Sequence, residues 1–197
     1  MKYYKLAEAE KTLLGIDDIA NTLVISRESA KVTASRYAAA GFLVRLKRDL
    51  YIPAEKLMRL KEEELFHIAN IVQVPSYISL TTALSYYNVS AQQQQNFIES
   101  IQLKRTKTVK AKNIEFAYTK IKKEMYTGFD LLNDFFIALP EKAIADAVYL
   151  TAIGKYNCDF DAVDFKKIKK SRVEQFINLT NRRTKTFWGQ LCKTYRV

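Results

Sequence analysis

Few side chains in this sequence have the types and spacings that catalysis needs. Asp159, Asp161 and Asp164 stand close together, and Asp164-Phe165-Lys166 imitates the carboxylate-x-Lys arrangement with which a nuclease holds Mg²⁺ and activates water. Such ligands usually project from strands, whereas this stretch reads as a loop leading into a helix, where acids cap backbone N–H groups. His67 is the sole histidine and lies in an apolar helical run, so no Ser-His-Asp or Cys-His arrangement assembles convincingly around it. Cys158 and Cys192 are far apart, lack metal-ligand spacing and read as free thiols. No Gly-rich phosphate loop is present. The expectation is a protein that is not an enzyme and uses no metal and no cofactor.

Cations offer a different chemistry, the pairing of ammonium and guanidinium groups with phosphate. The chain has 32 Lys and Arg against 21 Asp and Glu, a formal net charge of +11, which suits a polyanionic partner. Their positions are patchy: residues 101–125 carry 8 cations and 2 acids, and residues 166–197 carry 10 cations and 1 acid.

The elements that present the first group are legible. Asp17 to Leu23 reads as a helix whose two leading acids suit its positive end. Ser26 then caps a second helix over Arg27 to Ala40, stopped by Gly41. Ala30, Thr33, Ala34 and Tyr37 recur at helical spacing and face the core, leaving Arg27, Glu28, Lys31, Ser35 and Arg36 outward. Two strand-like runs follow, Phe42 to Leu46, with Arg45, and Leu50 to Ile52, joined across Lys47-Arg48-Asp49. Two helices and a basic hairpin in this order describe a winged helix-turn-helix, in which the second helix enters the major groove and the wing touches the backbone. An ordinary αα-hairpin with solvated charges would share the amphipathic pattern but makes the cap, the stop and the cationic tip coincidental.

The remainder reads as a second domain, with a boundary near residue 58: residues 1–58 form the winged domain and 59–197 an α+β domain with a small sheet and several helices. Leu6, Ala9, Leu13 and Leu14 fit the stripe of a first helix. A helix is expected over Glu62 to Val72, another over Leu80 to Tyr87, strands over Phe97 to Leu103, Ile114 to Ile121 and Asp134 to Leu139, and a helix from Pro140 to Ala152. Lys142 and Asp146, four apart, are expected to pair on the surface of that helix. A basic loop with Lys104, Arg105 and Lys107 is expected between the first two strands. Two basic helices, broken near Asn178 to Thr184, end the chain. Lys166, Lys167, Lys169, Lys170, Arg172, Arg182 and Arg183 there are either a solvated face or a second nucleic-acid surface, with Phe187, Trp188 and Tyr195 interleaved. No run approaches the ~18 apolar residues of a membrane span, and the N-terminus reads as an amphipathic helix, so a cytoplasmic protein is expected.

The winged helix-turn-helix, followed by Tyr77-Ile78-Ser79-Leu80-Thr81-Thr82-Ala83-Leu84-Ser85-Tyr86-Tyr87 and later Leu139-Pro140-Glu141-Lys142-Ala143-Ile144-Ala145-Asp146-Ala147, resembles the AbiEi-type antitoxins over most of the chain. The resemblance implies an N-terminal domain that represses its own operon by binding double-stranded DNA at promoter inverted repeats. It implies a C-terminal domain that counters a nucleotidyltransferase-like toxin in a type IV system, where antitoxin need not touch toxin. At the wing, Asp49 stands where the family pattern has Gly before the apolar-Tyr pair. No heptad marks a dimer seam, so the reading favours a monomer in solution and two copies on DNA. The alternative reading is an RNA-binding or toxin-binding regulator acting through the basic C-terminal helices.

Overall fold

A computed structural model describes residues 3–197; Met1 and Lys2 lie outside them. The chain divides into two compact units, 1–65 with 109–113, and 66–108 with 114–197.

The first unit contains α1 (Tyr4–Ala7), β1 (Leu14–Gly15), α2 (Ile16–Leu23), α3 (Arg27–Ala39), β2 (Leu43–Lys47), β3 (Leu50–Pro53) and α4 (Ala54–Leu57). Its antiparallel sheet has the order β1-β3-β2, completing a winged helix-turn-helix. Leu6, Leu14, Ile19, Leu23, Ala30, Ala34, Tyr37, Leu43 and Tyr51 form one core. Alanines at 30 and 34 let α3 lie close to α2, and Tyr3, Tyr37 and Phe42 close the end with edge-to-face and tilted ring contacts.

One expectation fails here. The first helix is a single turn, and Leu14 lies in β1 rather than on a helical stripe, paired with Tyr51. Gly15 ends that strand and caps α2, its N–H donating to the Asp18 carboxylate at 2.8 Å. The chain between α1 and β1 is held instead by the Lys56 ammonium, which donates to the carbonyls of Ala9 and Lys11.

Helix α5 (Glu62–Val72) leads onward, its first turn carrying Glu62, Glu63 and Glu64 at the positive helix end. The chain that follows it is α+β. Strands β4 (Ser76–Ile78), β5 (Phe97–Gln102), β6 (Lys107–Ala111), β7 (Ile114–Lys120), β8 (Phe129–Leu132) and β9 (Phe135–Ala138) form a mixed sheet in the order β6-β7-β5-β4-β9-β8. The β5/β7 and β4/β9 pairs are parallel. Helices α6 (Leu80–Tyr86), α7 (Pro140–Ala152), α8 (Lys170–Ile177) and α9 (Arg182–Tyr195) complete it.

Two strands escaped the sequence reading. The expected basic loop is largely β6, where Lys107 and Val109 are half-buried while Thr108 and Lys110 are exposed. A lysine-rich sheet edge looks like a loop in sequence because its cations guard the edge against pairing with other chains. Strand β8 is joined to β9 by Asn133-Asp134, with Asn133 at φ +52°. Helix α7 also differs from the one-sided stripe expected of it. Its residues from Glu141 to Leu150 are all buried, because α6, β9, α8 and α9 pack around it.

Candidate nucleic-acid interface

The helix-turn-helix is set by local chemistry. The Ser26 hydroxyl accepts from the Ser29 N–H at 3.2 Å, satisfying a donor at the start of α3. Gly41, at φ +77°, releases the chain into the wing. Ala30, Ala34 and Tyr37 are buried and Thr33 is half-buried. Arg27, Glu28, Lys31, Ser35 and Arg36 are exposed, so the structure brings the five together on one face. The Arg27 Nε lies 2.8 Å from the Asp17 carboxylate on α2, both side chains being more than half exposed. The Arg36 guanidinium sits 5.7 Å from the Tyr37 ring centroid.

Two exposed apolar residues were missed, one on this face and one in the turn before it. Val32 is 69% exposed among the polar residues of α3, and Val24, at φ +54° in the turn, is exposed too. A methyl-bearing side chain on such a face suits contact with the C5 methyl of thymine. The available signal was an apolar residue out of phase with the core stripe.

On the wing, Lys47 pairs with Leu50, so the turn is the two residues Arg48-Asp49 rather than the three expected. Asp49 adopts φ +57°, the left-handed conformation that glycine would supply most easily. The Arg48 guanidinium is 3.6 Å from the Asp49 carboxylate and almost wholly exposed. Arg45 is exposed, its Nε donating to the Lys47 carbonyl at 3.4 Å across a register shift, and Lys47 is also exposed. The Lys11 ammonium, hydrogen-bonded at 2.5 Å, holds the Asp18 carboxyl below its ordinary range.

The second group of cations is less uniform. Lys104 and Arg105 are exposed between β5 and β6, and the Lys107 ammonium lies 5.3 Å from the Tyr118 ring. Lys166, Lys169 and Arg172 are exposed. Lys167 donates to the Asn88 carbonyl at 2.7 Å and Lys170 to the Val197 carbonyl at 2.9 Å, so these two tie the fold together. Arg182 and Arg183 are exposed on the first turn of α9.

Of the three clustered aspartates, Asp159 and Asp164 act as caps. Asp159 accepts from the Asp161 N–H and Asp164 from the Lys166 N–H, each at 3.2 Å, and Asp161 accepts from the Tyr195 hydroxyl at 2.6 Å. Among the described residues no group of three or more His, Cys, Asp or Glu side chains could hold a metal ion. The His67 Nδ1 lies 2.5 Å from the Asp134 carbonyl oxygen, and burial pushes the Cys158 thiol up to about 12.

A polar centre in the second unit was not expected. Lys142 and Asp146 pair at 2.5 Å, but their side chains are 2% and 0% exposed, so the pair is interior and not on a helix surface. The other Asp146 oxygen accepts from the Tyr77 hydroxyl at 3.0 Å and the Ser79 hydroxyl at 2.9 Å. The Lys142 ammonium lies 5.9 Å from the centroids of both the Tyr77 and Phe176 rings. Beside it, the buried Glu99 accepts from Tyr156 at 3.1 Å and the Thr82 N–H at 3.3 Å, and burial raises its carboxyl to about 7. Tyr77, Ser79, Lys142 and Asp146 come from the two segments that carry the antitoxin resemblance, and they meet as a structural centre.

Among the described residues no helix is long and apolar enough to cross a membrane. No family model matches the chain, and no curated protein gives a significant match. Among solved structures, it is similar to a crystal structure of the RV2827C protein from Mycobacterium tuberculosis, with TM-score 0.62 and 12% sequence identity over 97% of this chain and 74% of that one. At that identity the likeness is one of fold alone.

Proposed function

We propose that the protein is an antitoxin and transcriptional autorepressor whose winged unit binds inverted repeats in its own promoter. The observation that carries the DNA-binding reading is the outward face of α3, where Arg27, Lys31, Ser35 and Arg36 are all exposed on a capped helix beside a wing bearing Arg45, Lys47 and Arg48. The helix supplies donors for base edges and the wing supplies charge for phosphates. Countering a nucleotidyltransferase-like toxin rests on the resemblance of the second unit. The protein acts by binding, without a cofactor, in the cytoplasm, as a monomer of which two copies occupy an inverted repeat.

A gel-shift titration against the upstream duplex, a random duplex of equal length and a structured RNA, at two salt concentrations, tests this. Preference for the upstream duplex should survive the higher salt. Arg36→Ala should weaken that complex by about 1–3 kcal/mol, and Lys47→Ala should reduce the salt slope by about one. Equal loss on every nucleic acid at higher salt would reduce the protein to a generic basic patch.

A further inference from the structure

Helix α9 breaks a local electrostatic rule. Its first turn carries Arg182, Arg183 and Lys185 at the end where acids are favourable, and no acid occurs anywhere from Arg182 to Tyr195. None of these three cationic side chains has an ion pair or hydrogen bond among the described residues, so no acid of the fold offsets the arrangement. Local rules broken without internal compensation mark places where a ligand supplies it.

The two arginines line a cleft of about 660 Å³ between the C-terminal end of α7 and α9, together with Thr151, Thr186, Phe187 and Gln190. The cleft's size suits a small organic ligand. Its walls are sorted by chemistry. The Arg182 and Arg183 guanidiniums suit a phosphate, which they can bind with paired donors. The Thr151 Oγ1 is buried with no hydrogen-bond partner. Phe187 is fixed from behind by an edge-to-face contact with Phe160, at 5.8 Å between centroids. Gln190 is exposed, and its amide offers both a donor and an acceptor to a base edge. Next to it, Gly189 has open space where a side chain would stand, so packing does not require a glycine in mid-helix.

We propose that this cleft binds one unpaired nucleotide of a single-stranded nucleic acid, its phosphate on Arg182 and Arg183 and its base against Phe187 and Gln190. A strand is preferred to a free nucleotide because α9 carries a further exposed cation beyond the cleft residues, Lys193, and Arg196 follows at its end, both able to meet adjoining phosphates. A base held in a duplex stack cannot enter. This site is independent of the proposed operator contact, since all its residues lie in the second unit.

The test is fluorescence anisotropy of the full chain with labelled single strands of about 12 nucleotides, of RNA and of DNA, a blunt duplex of the same length, and adenosine monophosphate as competitor. Arg182→Ala/Arg183→Ala should cut single-strand affinity at least about tenfold and lower the salt slope by roughly 1.4. Phe187→Leu, which keeps apolar volume against Phe160, should cost about tenfold with no change in slope. The exposed Gln190→Ala should weaken binding without touching the fold. Operator binding by all three variants should be unchanged. Unaltered affinity in the double variant, an equal loss on removing Lys104 and Arg105 instead, equal binding of the duplex, or full competition by the mononucleotide would each overturn the proposal.

Discussion

The two units each contain a short ion pair, at opposite extremes of exposure. Arg27 and Asp17 meet at 2.8 Å in the winged unit with more than half of each side chain in water. Lys142 and Asp146 meet at 2.5 Å in the second unit with almost none. In water the first pair gains little from its attraction and loses little when broken, which leaves Arg27 available to a competing phosphate. In the interior, desolvation consumes much of the attraction, so the second pair adds little net stability over an apolar replacement. Losing one member leaves a bare buried charge. Proximity alone therefore does not rank them. One pair is easily exchanged with solvent and the other is a constraint on packing.

The largest effect should come from breaking the interior pair by halves. Asp146→Ala strands the Lys142 ammonium and the hydroxyls of Tyr77 and Ser79, and should destabilise the second unit by about 3–5 kcal/mol. Urea unfolding followed by the fluorescence of Trp188, the sole tryptophan, reads that unit directly. Removing both charges together, as Lys142→Met/Asp146→Leu, should restore the part of the loss that comes from the bare ammonium, while the Tyr77 and Ser79 hydroxyls stay without their acceptor. A single variant that costs under about 1 kcal/mol would erase the distinction between the two pairs.

Glu99 sharpens the comparison through pH. Its carboxyl is raised from 4.5 to about 7 in the folded unit, first by desolvation, so the native state holds a proton that the unfolded chain has released. Stability from this group is present below about pH 4.5 and is lost as pH rises towards 7, by up to about 3 kcal/mol. The same urea titration at successive pH values should show the decline, and Glu99→Gln should flatten it. A curve that rises over that window in the wild-type chain would contradict a neutral buried Glu99.

The smallest effect belongs to the exposed pair. Asp17→Ala should change stability by less than about 1 kcal/mol, measured by thermal melting. It should hold or raise affinity for duplex DNA, because a competing carboxylate beside Arg27 is gone. Weakened operator binding would mean that Asp17 orients Arg27 rather than merely accompanying it.

The winged unit was the more legible of the two because its signals are local. Ser26, Gly41 and the spacing of Ala30, Ala34 and Tyr37 state the helix α3 within sixteen residues of chain. Strand β1 was not legible, since a two-residue strand has no period and exists because β3 offers it a partner. Lys142 and Asp146 show the limit more clearly. Their spacing predicts that they touch, and they do, but the same spacing serves a wet face and a dry one. Which face it is depends on the helices that cover α7, and on Tyr77 and Ser79, which lie 69 and 67 residues earlier than Asp146. Arg182 and Arg183 were legible as charge. The cleft they line was not, because Thr151 reaches it from another helix.

That separation along the chain also has a kinetic meaning. The core of the winged unit draws on residues 3–51, so modest loop closures suffice to assemble it. Asp146 finds its hydroxyl partners only after a long stretch of chain has been made and closed, and non-local closures of this kind slow folding. On the ribosome, where the earlier part of a chain folds first, the 3–51 core of the winged unit can form while the acceptor for Tyr77 and Ser79 is still to be synthesised.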